Sequence, residues 1–303
     1  MQIFFFLVIF TYLVQGKGNI GDIDGTYVNE LFGSNKIEYV FQRPSSPSRP
    51  ISGVVFLAHG CSHSATDWWP KSESCLTCLG LPVEVSIVKE AVRRNYFVVA
   101  MSSSDSTHKC WAENDLDRAG ALINFLYKKY LNADMTLPLY LLGGSSGGAF
   151  AAMLASAQSI HARVSALCVQ IMGVHDLSNL PPTLFVLMSK DEQTMRQVKN
   201  KLHNHKLDVK GISRHKLMSV GEIKITPTFF HDHNEVLTMT DSETLHQAFV
   251  KNGVISSATQ LLQKDPRDPY SNWREVILNN TMKKWFSNIY CSFIFSFCVT
   301  IYT

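Results

Sequence analysis

Apolar residues along this chain fall into short continuous runs, and stretches of helical spacing separate them. Val54–Ala58 (VVFLA), Phe97–Met101 (FVVAM), Leu139–Leu142 (LYLL), Val164–Met172 and Thr183–Met188 read as buried strands, and Asn35–Gln42 (NKIEYVFQ) as an alternating one. Ile87–Tyr96 has helical spacing, and Leu116–Leu131 places Leu116, Ala119, Leu122, Ile123, Leu126 and Tyr130 on one face. Glu192–His205 and Ser242–Val250 read as further helices, and the Pro/Ser-rich stretch 44–50 as a surface loop. Strands alternating with helices predict a mostly parallel sheet covered on both faces. From Lys206 to Asp268 the pattern is weak and little is assigned beyond an extended segment at Ile223–Phe230.

One junction stands out. Leu139–Phe150 (LYLLGGSSGGAF) runs from an apolar strand through small residues into a small-residue helix over Ala149–Ala155. This is the sequence form of a nucleophile elbow, G-x-S-x-G between strand and helix. Such a turn points a serine hydroxyl out of the sheet, with glycines where a Cβ would collide with neighbouring backbone. Two frames match: Gly143–Gly147 makes Ser145 the nucleophile, and Gly144–Gly148 makes it Ser146. Ser145 is preferred, because the helix then begins with Gly147-Gly148-Ala149 and packs closely on the strand. The competing reading is a plain Gly/Ser loop or a phosphate-binding turn.

A chain of 303 residues, 46% of them hydrophobic, can bury one large core. Net charge is only +3 with dispersed basic residues, which argues against a nucleic-acid partner. Met1–Val14 is almost wholly apolar and is followed by Gln15-Gly16-Lys17, so residues 1–16 read as a secretory signal peptide despite having no Lys or Arg ahead of the apolar run. The expected organisation is that leader, a domain over 17–284, and an apolar tail over 285–303. Seven cysteines fit an exported chain, and four of them, Cys61, Cys75, Cys78 and Cys110, cluster. Cys75-x-x-Cys78 reads as a short structural disulfide rather than a redox pair or half a zinc site, because no second C-x-x-C accompanies it. Asn279 heads the only glycosylation sequon. His231-x-His233 with Glu235 hints at a metal, but three polar residues in a loop are more often solvated, so no metal and no cofactor are expected. Trp68, Trp69 and Trp111 either line a substrate cleft or pack an inserted loop.

Taken together, an apolar strand ending in His59-Gly60, the later strand–G-x-S-x-G–helix, and a strand ending in an acid resemble the α/β-hydrolase superfamily. Residues 59–70 (HGCSHSATDWWP), 75–82 (CLTCLGLP) and Cys110-Trp111 are similar to a set of plant hydrolase-like proteins of esterase/lipase type, over roughly Ile37 to Glu275. The resemblance implies an α/β-hydrolase fold with a central, mostly parallel sheet. It implies an ester-like small-molecule substrate and an oxyanion hole from the N–H groups of Ser146 and of Cys61, with Ser62 as the alternative. It also implies an orienting acid after the strand at Thr183–Met188, which is Asp191, with Glu192 second and Asp176 weaker. Asp191 could equally cap the helix that follows it. In that superfamily the strands preceding Cys61 and Cys110 are neighbours, so these two cysteines are expected to bridge.

The base is harder to place. Superfamily order is Ser, acid, then His. Of the histidines after Asp191, His203 and His205 fall on a proposed helix and read as surface, and His246 lies in a helical run and reads as solvated. His231 and His233 follow the extended segment; His233 is taken as the base, with His231 the alternative. In the resembling proteins the catalytic His is expected further on. Here likeness stops after about Asn280, and residues 285–303 contain no His. That tail is long enough for a membrane contact but lacks the Leu and Ala of most spans. Its Phe/Ser/Tyr/Cys/Ile bias reads as a replaced or truncated C-terminus. Two readings follow: a secreted serine esterase, or a hydrolase-fold chain without its base, binding a small ligand at most.

Overall fold

The structure, a computed structural model, describes residues 23–33, 35–44, 49–158, 160–170, 177, 179–189, 191–204, 214–233, 237–263 and 272–279. The expected leader, Asp176, His205, Glu235 and the apolar tail lie outside these residues.

The chain opens with a hairpin of β1 (Thr26–Phe32) and β2 (Asn35–Gln42), paired antiparallel from Thr26↔Phe41 to Phe32↔Asn35. Its tight turn needs a left-handed residue, and Gly33 supplies it at φ +63°. Next come β3 (Val54–Ala58), α1 (Pro82–Arg93), β4 (Phe97–Met101) and α2 (Asp115–Tyr130). Then follow β5 (Leu139–Gly144), α3 (Ser146–Ser156), β6 (Val164–Gln170), β7 (Thr183–Met188), α4 (Glu192–Asn204) and β8 (His215–Val220). The eight strands form one sheet in the order β1-β2-β4-β3-β5-β6-β7-β8. β2 runs antiparallel to β4, while β3 pairs parallel with both β4 and β5, and β5–β6 and β6–β7 are parallel. This order is that of the α/β-hydrolase fold, as the sequence resemblance implies.

Every residue of β3 and β4 is buried, which is why these strands are continuous apolar runs rather than alternating ones. The expected stripe of α2 (Ala119, Leu122, Ile123, Leu126) is buried, and Phe150, Ala151 and Leu154 of α3 join the same core. Two charges are buried with it. Arg118 pairs with Asp115, donates to the Lys36 carbonyl at 3.0 Å, and is 7% exposed; Asp115 is fully buried and accepts from the N–H groups of Ser104 (2.9 Å) and Ala112 (3.1 Å). With most of its lone pairs satisfied, such a pair fixes how α2 begins.

The chain divides into two compact units: the described residues to Leu187 with Glu192–Met218, and Met188–Asp191 with the described residues from Ser219 on. The second unit contains α5 (Phe229–His233), α6 (Met239–Lys251) and α7 (Trp273–Asn279), and has its own core of Ile225, Phe230, Leu245, Phe249, Trp273 and Ile277. Thr238 caps α6 in a reciprocal box with Asp241. The segment expected to stay extended to Phe230 turns helical at Phe229, because Phe229 N–H bonds back to Thr226 and both phenylalanines face this core. Among the described residues no helix is long and apolar enough to cross a membrane.

Candidate active site

The turn between β5 and α3 is fixed by lack of room. A methyl group on Gly143 would lie 2.3 Å from the Gly147 carbonyl oxygen, and one on Gly147 would lie 2.3 Å from the carbonyl oxygens of Ala58 and His59. Only glycine permits β5, the first turn of α3 and the end of β3 to approach this closely. Ser145 sits between them at φ 53°, ψ −125°, a conformation that costs a non-glycine residue about 1–3 kcal/mol. Its N–H donates to the Gln170 carbonyl at 2.7 Å and its carbonyl accepts from Ala149 at 3.1 Å, so both backbone groups are tied down while the residue stays exposed. Ser146 is the first residue of α3 and its hydroxyl is buried. The two frames are thereby distinguished: Ser145 offers a hydroxyl to solvent and Ser146 offers a helix-start N–H.

The loop after β3 faces this turn. A methyl on Gly60 would come within 3.7 Å of Ser145 Cβ. His59, 3% exposed, donates from Nδ1 to the Gly60 carbonyl at 2.7 Å and accepts at Nε2 from the Ser103 N–H at 3.1 Å. These two bonds define a neutral ring, and burial pushes its pKa down to about 4. His59 is therefore a structural element of the loop. Trp111 donates from its indole to the His59 carbonyl at 2.7 Å and stacks on Phe150 with ring centroids 4.1 Å apart. Trp69 is fully buried and bonded to Gln42 at 2.9 Å, and Trp68 is 5% exposed. All three tryptophans thus pack the loop, which decides between the two roles the sequence left open.

Cys61 and Cys110 form a disulfide, as do Cys75 and Cys78. The first ties the loop after β3 to the segment after β4. The Ser62 N–H is engaged with the His108 carbonyl at 2.8 Å. Ser146 follows Ser145 at the start of α3, and Cys61 follows Gly60 in the facing loop.

Two residues of the same loop carry chemistry that sequence reading passed over. His63 donates from Nδ1 to Asp67 at 2.5 Å, and the two are 7% and 4% exposed. Asp67 also accepts from the Ser64 N–H at 3.3 Å and hydroxyl at 3.4 Å. The signal was available as His-x-x-x-Asp within 59–70, a one-turn spacing. Glu84 on α1 has a buried carboxyl oxygen, and its pKa is pushed up to about 8, first by burial and further by the charge of Asp67.

The acid and base expected from chain order lie in the second unit. Asp191 lies three residues past the end of β7, half-buried, its N–H donating to the Met188 carbonyl at 3.1 Å. His231 donates from Nδ1 to the Leu237 carbonyl at 2.7 Å, and its N–H bonds the Ser242 hydroxyl at 3.2 Å. His233 closes α5, its side chain lying outside the described residues. His203 is exposed, as expected. His246 is not solvated as the sequence suggested: it is 7% exposed and donates to Gln260 at 2.6 Å, because Gln260 folds back over α6. Among the described residues no three His, Cys, Asp or Glu side chains converge as a metal site. In short, the structure brings Ser145, Ser146, Gly60 and Cys61 together in the first unit and places Asp191, His231 and His233 in the second.

No family model and no curated protein matches the chain. Solved structures similar in fold include dienelactone hydrolase from Anabaena variabilis, at 15% identity over 76% of this chain and 97% of that one with a TM-score of 0.46. A lidless α/β serine hydrolase from Xanthomonas campestris is similar at 15% identity over 78% and 97% of the two chains, TM-score 0.42. An α/β serine hydrolase homologue from Coxiella burnetii is similar at 15% over 78% and 99%, TM-score 0.44. A likeness of fold does not carry activity with it.

Proposed function

We propose that this chain is a secreted serine hydrolase acting on carboxylic esters, with Ser145 as nucleophile. The observation that carries the reading is the backbone of Ser145: an exposed serine held at φ 53° between glycines that admit no side chain. Strain of this kind is maintained where it positions a reacting group. In the proposed reaction Ser145 Oγ attacks the ester carbonyl while the Cys61 and Ser146 N–H groups receive the developing oxyanion. The alkoxide leaves with a proton from the base, and water then releases the acid. Chain order assigns the orienting acid to Asp191 and the base to His233, with His231 the alternative. Export is supported by the apolar leader and by two disulfides, which persist in oxidising compartments.

Hydrolysis of p-nitrophenyl acetate by the purified protein tests the proposal. Turnover above the buffer rate that disappears in Ser145→Ala is expected; equal rates in both proteins count against it. A second reading is a hydrolase-fold chain that lacks a competent base and has weak or no activity, residues 285–303 holding no histidine. Under that reading the folded protein binds a small ester without turning it over.

A further inference from the structure

Resting on the reading of Ser145 as nucleophile, we propose that the Cys61–Cys110 disulfide is a redox-controlled clasp. Closed, it holds the loop after β3 against the elbow; opened by a dithiol reductant, it releases that loop and lowers ester turnover. The two disulfides among the described residues differ in each respect that bears on this. Cys75 and Cys78 are 3 residues apart and 1% and 2% exposed, so their bridge staples a single turn and is closed to solvent. Cys61 and Cys110 are 49 residues apart, and both are partly exposed. Their bridge joins two different loops, and Ser62, His108 and Lys109 beside it are exposed.

The backbone around the bridge is held in a costly form. The Ser62 N–H bonds the His108 carbonyl at 2.8 Å, so the disulfide and this hydrogen bond close one small ring. Within that ring Ser62 on one side and Lys109 on the other both turn left-handed, at φ +69° and +53°. Neither is glycine, and in that region each Cβ is crowded against its own backbone. Opening the bond lets both residues return to ordinary conformations, which favours the reduced form. Exposed or strained bridges are the readily reduced ones, whereas structural bridges resist.

The clasp sits beside the elbow. Gly60 directly precedes Cys61, and a methyl on Gly60 would lie 3.7 Å from both Ser145 Cβ and the Gly144 carbonyl oxygen. Behind Gly60 the chain is pinned without the disulfide: His59 accepts from the Ser103 N–H at 3.1 Å, and its carbonyl receives the Trp111 indole at 2.7 Å. Ahead of it, His63 is bonded to Asp67. Reduction therefore frees residues 60–62 and 108–110 while β3, β5 and the Ser145 turn stay in place. Cys61, whose N–H is proposed to receive the oxyanion, is among the residues released.

The exchange balances. A thiolate of the reductant bonds to one of the two sulfurs as the S–S bond breaks, and the other sulfur leaves as a thiolate that takes up a proton. The reductant's second thiol then displaces the protein from the mixed disulfide. Two electrons pass to the protein, which ends with two thiols, and the dithiol ends as its own disulfide.

The test equilibrates the full-length protein in graded mixtures of reduced and oxidised dithiothreitol, then alkylates free thiols and maps them by mass spectrometry. Hydrolysis of p-nitrophenyl acetate, far-ultraviolet circular dichroism and hydrogen exchange are followed on the same samples. Cys61 and Cys110 are expected to become alkylated in a less reducing mixture than Cys75 and Cys78. At that midpoint turnover falls about 100-fold, the loss that follows removal of one oxyanion donor. Peptides covering 60–62 and 108–110 lose exchange protection there, circular dichroism is unchanged, and reoxidation reverses both changes. Cys75→Ser with Cys78→Ser keeps the response. Opening of Cys61–Cys110 only after Cys75–Cys78, only with unfolding, or with turnover and exchange unchanged overturns the proposal. Oxidised protein that never turns over the ester, yet opens in the expected order with the expected exchange, overturns the reading of Ser145 and leaves the labile bridge standing.

Discussion

Two regions carry the candidate chemistry, and they are built differently. Around Ser145 the chain has no latitude: Gly143 and Gly147 admit no methyl group, Ser145 is held in a strained conformation, and the facing loop is cross-linked and threaded with buried hydrogen bonds. In the second unit the Asp191 N–H reaches a carbonyl three residues back and the His231 ring a carbonyl six residues on. Rigid, costly geometry accompanies a site more often than it accompanies a scaffold. The difference places the weight of the functional argument on the first region.

The comparison is broken or sharpened most strongly by Ser145→Ala, which is expected to lower ester turnover by at least about a thousand-fold with little change in stability, read by steady-state kinetics and thermal melting. Replacing Cys61 and Cys110 by serine frees the loop from the segment after β4. A stability loss of about 2–4 kcal/mol is expected in urea unfolding, with activity lost alongside.

Acidification separates the regions by another route. His59 has its folded pKa depressed from 6.5 to about 4, so the unfolded chain binds the proton first. Its contribution, up to about 3 kcal/mol, is therefore complete above pH 6.5 and is lost as pH falls toward 4. Urea midpoints at pH 7.5, 5.5 and 4.5 that stay level would contradict this.

Gly147→Ala presses a methyl against two carbonyl oxygens and should cost about 1–3 kcal/mol while displacing Ser145. His231→Ala, by contrast, removes one bond to the Leu237 carbonyl and should cost about 1 kcal/mol in the same assay.

How much of this was legible follows from where the chain is under constraint. The five central strands read directly because burial on both faces makes them continuous apolar runs, as in β3 and β4. β1 was missed because it is an edge strand: none of its seven residues is fully buried, so its sequence shows no inward face. β8 escaped for a similar reason, with only His215 buried among its six residues. The frame that makes Ser145 rather than Ser146 the exposed residue was legible because a glycine, Gly147, must follow where α3 meets β3. The pairing of Cys61 with Cys110 was legible only through likeness to a known fold. The hydrogen-bonded pair of His63 and Asp67 was overlooked although its one-turn spacing was in plain view.

The central claim is that Ser145 is an activated nucleophile. Its most direct test is peptide mapping by mass spectrometry after the folded protein has reacted with a fluorophosphonate at neutral pH. The account predicts one covalent adduct per chain, on the peptide that contains Ser145 and on that residue within it. An unmodified Ser145 peptide, or an adduct carried only on other residues, would contradict it.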